Sequence, residues 1–169
     1  MKISCNDEGV QKAASAINDG AVIVFPTDTV YGLGCNPYNH DSVLSLYEIK
    51  KREKTKPFPV LGYSKEELEK IAEFSPLEEK IAVRVPNNKC ALALLKECKL
   101  LVGTSANISD ARPFSDPKEC GENLAGYDLF IDGGIISSKG ESTIVEVENN
   151  DVKVLRKGSI SEEMIKELN

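Results

Sequence analysis

The chain has 169 residues, 41% of them hydrophobic, which suits one compact domain with a real core, or one domain with a short appendage. Lys and Arg total 21 against 27 Asp and Glu, a net charge of −6. That excludes a general nucleic-acid coat, because non-specific binding runs on surplus cations, and any anion site must be a local concentration of positive charge.

The opening, Met1–Val10, has neither an apolar run nor a small-residue cleavage pattern, so no leader peptide is expected. Asp7–Asn18 is predicted as a helix, with Val10, Ala13, Ala14 and Ile17 at helical spacing and Asp19-Gly20 ending it. Ala21–Phe25 reads as a buried strand; it is also the longest apolar stretch and far too short to cross a bilayer. Pro26–Asn39 reads as a polar, glycine-bearing loop. The lone histidine, His40, is expected in a turn and leaves no material for a histidine-rich metal centre or a histidine-based triad. Asp41 is the expected N-cap of a helix carrying Val43, Leu44, Leu46, Tyr47 and Ile49. That helix runs into a basic cluster, Lys50–Lys56, and stops before Pro57.

Pro59–Leu61 is a short strand candidate, and Ser64 with Glu67 forms a capping box opening a helix toward Phe74. Ile81–Val85, Leu100–Gly103 and Leu129–Asp132 read as strands, and Cys90–Cys98 and Pro117–Leu124 as helices. Thr143–Val147 and Val152–Leu155 are expected to pair as a hairpin, and Ser161 to cap a last helix reaching Leu168. Strands and helices mix without strict alternation. The expected fold class is therefore α/β, a twisted sheet at least partly antiparallel with helices packed on it. The five cysteines are odd in number and contain no Cys-x-x-Cys pair, so reduced thiols are expected rather than a disulfide framework or a thiolate zinc site.

Three segments are unlike scaffold. Pro26–Gly34, PTDTVYGLG, offers two hydroxyls, a carboxylate, a phenol and two glycines directly after a rigid strand. Lys50–Lys56 has five basic residues in seven, which repel one another unless an anion is near; a polyphosphate matches them, with Arg52 able to bind it in bidentate fashion. Gly103–Asn107 places small hydroxyls and an amide after an apolar strand. Each also has an ordinary reading, as a tight turn, a solvated helix end and a helix cap respectively. None is a standard nucleotide loop.

In order along the chain, PTDTVYGLG, Lys50-x-Arg52 with Lys56-Pro57 behind it, AVRVP at Ala82–Pro86, TSANIS at Thr104–Ser109, DGG at Asp132–Gly134, STIV at Ser142–Val145 and LRKG at Leu155–Gly158 resemble the YrdC family of threonylcarbamoyl-AMP synthases. The resemblance spans nearly the whole chain and implies a single YrdC-like domain over residues 1–169, with a twisted mixed sheet and flanking helices around a concave basic cleft. It implies a cytoplasmic nucleotidyltransferase that joins L-threonine, bicarbonate or CO2 and ATP into threonylcarbamoyl-AMP and pyrophosphate, for a downstream complex that modifies tRNA. By family position, Thr29, Tyr31, Arg84, Ser105 and Ser142 hold threonine. Arg52, Lys56, Lys80, Asn107, Ser115 and Arg156 hold ATP. Lys50 and Arg52 act catalytically through charge. No carboxylate cage is evident, so Mg2+ is expected to arrive with ATP.

The sequence departs from the family pattern at Glu53, where proline is usual, at Leu61, where histidine is common, at Lys80 for threonine and at Asp110 for glycine. Between Phe74 and Ile81 it replaces a long Trp-Pro-Gly-Pro-Leu segment with Ser-Pro-Leu-Glu-Glu-Lys. Three other readings stand beside the synthase. One is a non-catalytic paralogue that binds a nucleotide or double-stranded RNA. Another is a carbamoyl-transfer relative like the YrdC-like part of hydrogenase maturation factors. The last is an interaction protein whose basic cluster is only surface.

Overall fold

The computed structural model describes residues 1–74, 80–138, 140–148 and 151–167. Seven strands form one mixed sheet in the order β1-β7-β2-β3-β6-β4-β5, and β8 and β9 form a separate hairpin. In chain order the elements are β1 (Lys2–Ser4), α1 (Asp7–Asn18), β2 (Ile23–Pro26), β3 (Tyr31–Cys35), α2 (His40–Lys50), β4 (Val60–Gly62) and α3 (Lys65–Phe74). Then follow β5 (Val83–Arg84), α4 (Lys89–Cys98), β6 (Leu100–Ser105), α5 (Pro117–Asn123), β7 (Leu129–Asp132), β8 (Ile144–Glu148), β9 (Asp151–Arg156) and α6 (Glu162–Lys166).

Alternation along the central strands sends side chains to two faces. Ile23, Phe25, Leu101, Leu129 and Ile131 pack under Ala13, Ile17, Ala91 and Leu94 of α1 and α4. Val24, Tyr31, Leu33, Val102 and Phe130 pack on the other face with Leu46 of α2 and Cys120 of α5. The result is three layers, with the sheet between two helical ones.

Four findings differ from the sequence expectations. The segment Tyr31–Cys35, expected as loop, is a fully buried strand antiparallel to β2 and β6. Its side chains Tyr31, Leu33 and Cys35 all enter one core, while Gly32 and Gly34 leave the opposite face to the Phe25 ring. The N-terminal residues add a short parallel strand, β1, beside β7. Asn39, not Asp41, caps α2 by accepting the Ser42 N–H at 3.0 Å, so His40 lies in the first helical turn. Cys5 and Cys90 are joined as a disulfide across 85 residues, leaving Cys35, Cys98 and Cys120 as thiols. Packing of α1 on α4 brings that pair together, a long-range event that no local spacing reveals. Part of the shortened stretch between Phe74 and Ile81 (75–79), and the expected end of the last helix at Leu168, lie outside the described residues.

Candidate functional site

The β2–β3 turn is built around Thr27. Its buried hydroxyl donates to Val30 O at 2.6 Å and accepts the N–H groups of Thr29 and Val30, so the turn closes on a side chain. Thr29, 3% exposed, sits behind it with its hydroxyl 3.2 Å from that of Thr27. Arg84 reaches the same turn from β5. Its Nη2 donates to Asp28 Oδ1 at 2.7 Å and to Thr29 Oγ1 at 3.1 Å. The Asn87 N–H also donates to Asp28 Oδ1, and the Asn88 side chain donates to Thr27 O while capping α4. Two loops distant in sequence are thereby fixed to each other.

The register of β3 with β6 places Gly32 opposite Ser105 and delivers the TSANIS segment beside that turn. Ala106 N–H donates to Tyr31 O at 2.7 Å, locking the two strand ends together. Lys50, at the end of α2, is only 2% exposed, and its ammonium donates to Ser105 O at 2.6 Å, Asn107 O at 2.8 Å and Asn107 Oδ1 at 3.2 Å. Its own carbonyl accepts the Ser109 N–H. Burial, with Arg52 second, lowers the Lys50 pKa to about 8. Lys50 is thus the pin beneath the TSANIS loop, a more structural position than that of a free charge facing phosphate.

Asn107 is equally committed. Its amide donates to Ile108 O and Ala111 O, so it braces the loop from inside. Asp110 takes a φ of 66°, the conformation for which glycine is the default. Ser109 Oγ is buried with no hydrogen-bond partner among the described residues.

Tyr31 departs from its expected place against a ligand. It has no exposed surface, and its phenol donates to Gly134 O at 2.8 Å and accepts the Gly133 N–H at 3.1 Å. Burial above all pushes its pKa up to about 12. Its role is to anchor the DGG turn to the sheet. The Tyr31 N–H donates to Phe114 O, next to Ser115, whose carbonyl in turn accepts the Ile136 N–H.

The remaining cations lie further out. Arg52 folds back on Lys56 O and Pro57 O and stacks over Phe58, 5.1 Å from the ring centroid. Lys56 is exposed and pairs with Glu53 at 3.2 Å. At the base of the hairpin Arg156 donates twice to Ser142 O and pairs with Glu141 at 3.2 Å. Glu141 is among the charges that act on Lys50, so the hairpin base and the basic end of α2 share one field. Lys80 turns away to Glu146 at 2.8 Å and Glu148 at 3.5 Å.

Two surface hollows, of about 410 and 750 Å³, lie elsewhere: one beside Lys2, Pro117 and Tyr127, the other beside Tyr38, Ile71 and Leu100. Neither contains a candidate residue, and the hydrogen-bonded loops define the site better than concavity does. Among the described residues no group of three or more His, Cys, Asp or Glu side chains is placed to hold a metal ion.

A family model described as telomere recombination, for the Sua5, YciO and YrdC proteins, matches residues 15–81 and 73–158. The chain belongs to the Sua5–YciO–YrdC family. A threonylcarbamoyl-AMP synthase of Bacillus subtilis is 28% identical over 97% of this chain, and a putative threonylcarbamoyl-AMP synthase of Mycobacterium tuberculosis is 27% identical over 95% of it. The structure of P. abyssi Sua5 complexed with L-threonine superposes with a TM-score of 0.87 at 26% identity, over 99% of this chain. The chain spans 57% of the B. subtilis relative, 88% of the M. tuberculosis one and 60% of the P. abyssi chain. The mixed seven-stranded sheet with flanking helices is therefore the family fold. Asp28 and Asn88 are site residues that no spacing in the sequence singles out. Asp28 stood in view inside PTDTVYGLG, but its partner Arg84 is 56 residues away.

Proposed function

We propose that this chain is a nucleotidyltransferase that forms threonylcarbamoyl-AMP and pyrophosphate from L-threonine, bicarbonate or CO2 and Mg-ATP. The observation that carries the reading is the Arg84–Thr29 contact, a guanidinium at a hydroxyl-bearing turn. Beside that turn lies a loop of small polar groups pinned by Lys50. A cation next to hydroxyls suits the carboxylate and side chain of a hydroxy-amino acid. The names of the relatives and the threonine complex of P. abyssi Sua5 support the same substrate.

In this reading Thr29, Arg84, Ser105 and Ser142 hold threonine, and Tyr31 contributes through the backbone it anchors. Arg52, Lys56, Ser115 and Arg156 hold ATP, with Asn107 shaping the loop that receives it. Lys80 has the outermost place, reaching phosphate only after leaving Glu146. These cations form the basic wall of a cleft that takes in Mg-ATP, the metal arriving as part of the substrate. The threonine nitrogen bonds to the carbon of CO2 and gives up a proton. A carbamate oxygen then attacks the α-phosphorus, and the bond to the bridging oxygen breaks as pyrophosphate leaves. Catalysis is positioning and charge stabilisation, in which Lys50 holds the loop and Arg52 meets the departing phosphates. The whole chain, residues 1–169, acts as one cytoplasmic domain, and a tRNA threonylcarbamoyl-transfer complex consumes the product.

The test of the assignment is equilibrium binding. Arg84→Ala is expected to lose L-threonine and keep ATP, and Arg52→Ala to weaken ATP and keep L-threonine; loss of neither ligand contradicts the assignment. A second reading, a non-catalytic binder of nucleotide or double-stranded RNA, is favoured by one observation. Lys50 is buried and spends its ammonium on the carbonyls of Ser105 and Asn107, so it does not face a reacting phosphate. That reading requires RNA affinity that falls steeply with salt and ignores threonine.

A further inference from the structure

The ion pair of Asp28 and Arg84 has the chemistry of a receptor for both ends of an amino acid. Both hydrogens of Arg84 Nη2 are engaged, one by Asp28 Oδ1 at 2.7 Å and one by Thr29 Oγ1 at 3.1 Å. Its Nε and Nη1 groups have no protein acceptor among the described residues, so three N–H donors remain. Asp28 is complementary. Its Oδ1 accepts from Arg84 and from the Asn87 N–H at 3.1 Å, whereas its Oδ2 accepts no hydrogen bond among the described residues. The two side chains are 27% and 30% exposed, open enough for a small ligand and screened enough for charge to count.

The backbone holds both partners still. Asp28 sits between Thr27 and Thr29, in the turn closed by the Thr27 hydroxyl. Arg84 lies on β5, and the loop after it is tied back through Asn87 and Asn88. A cation with spare donors and an anion with a spare acceptor are thus presented side by side. The carboxylate and ammonium of an α-amino acid are likewise neighbours, separated by one carbon atom.

We propose that Asp28 takes the ammonium group of the α-amino acid whose carboxylate Arg84 takes, and so selects a free amino acid over a carboxylic acid that lacks the amine. This rests on the amino-acid site proposed above. Asp28 is then a specificity residue with a contact of its own. The alternative is a brace that only orients Arg84, and the two differ in what they do to a ligand without an amine.

The test is calorimetric binding of L-threonine and of 3-hydroxybutyrate, the same acid without its amine, to the wild type and to Asp28→Asn. The asparagine keeps an oxygen for Arg84 and Asn87 but lacks the negative charge. Wild type is expected to prefer threonine by at least about tenfold, the scale of one charge-assisted contact. Asp28→Asn is expected to lose that preference, weakening threonine while leaving 3-hydroxybutyrate unchanged or tighter. Equal weakening of both ligands in Asp28→Asn overturns the proposal and leaves Asp28 a brace. Equal affinity of the wild type for both overturns it without recourse to a variant. Wild type that binds neither ligand removes the amino-acid site itself, and this inference with it.

Discussion

At Lys50 a cation in the interior is used to hold main chain. Below about pH 8 its ammonium offers three N–H donors to three loop oxygens, while burial makes the charge itself costly and brings the pKa down to about 8. Replacing it with methionine strands the carbonyls of Ser105 and Asn107, and Lys50→Met is expected to cost about 3 kcal/mol in a urea melt. The pH dependence has a definite sign. The folded-state pKa of about 8 lies below the ordinary 10.5, so between these values the unfolded chain holds the proton more often. The stability of wild type relative to Lys50→Met is therefore expected to rise from pH 8 toward 10.5 and to be flat below 8. A gap that shrinks over that range contradicts the burial of this amine. Tyr31→Phe removes the two hydrogen bonds that hold Gly133 and Gly134, and is expected to cost about 1–2 kcal/mol.

At the scale of elements, β3 is the instructive case. Its alternation was present in the sequence as Tyr31, Leu33 and Cys35, but two glycines in five residues read as loop. The glycines belong to packing. A Cβ at Gly34 would stand 2.6 Å from Val102 O and 3.1 Å from the Phe25 ring. Gly34→Ala is expected to destabilise by about 1–3 kcal/mol, the range of core overpacking, and to weaken the β3–β6 pairing that delivers the TSANIS loop. An unchanged melt would show that the two strands do not approach so closely. Helices with a clear apolar stripe, α1 and α4, were legible because their periodicity is local. The three-residue β1 was not, because it forms by parallel pairing with β7, far along the chain.

Across the whole molecule the site's segments were legible as motifs in order, and their internal geometry was not. Which cation is free, which is buried and which is paired depends on partners such as Asp28, Glu141 and Glu146, each far from its cation in sequence. The same holds for Cys5 and Cys90, 85 residues apart. Protein denatured without reductant is expected to titrate three thiols and not five. Cys5→Ser is expected to lower stability by about 2–4 kcal/mol more under oxidising conditions than under reducing ones. Titration of five thiols refutes the pairing.

The central claim is that the Arg84–Thr29 turn and the Lys50-pinned loop serve one reaction. The direct measurement is pyrophosphate release by the purified chain with Mg-ATP, leaving out L-threonine or bicarbonate in turn. Release that needs both, and falls at least about a hundredfold in Arg84→Ala, a loss of roughly 2.7 kcal/mol of transition-state stabilisation, is the expected result. ATP binding without threonine-dependent release would contradict the claim and leave a nucleotide-binding member of the family.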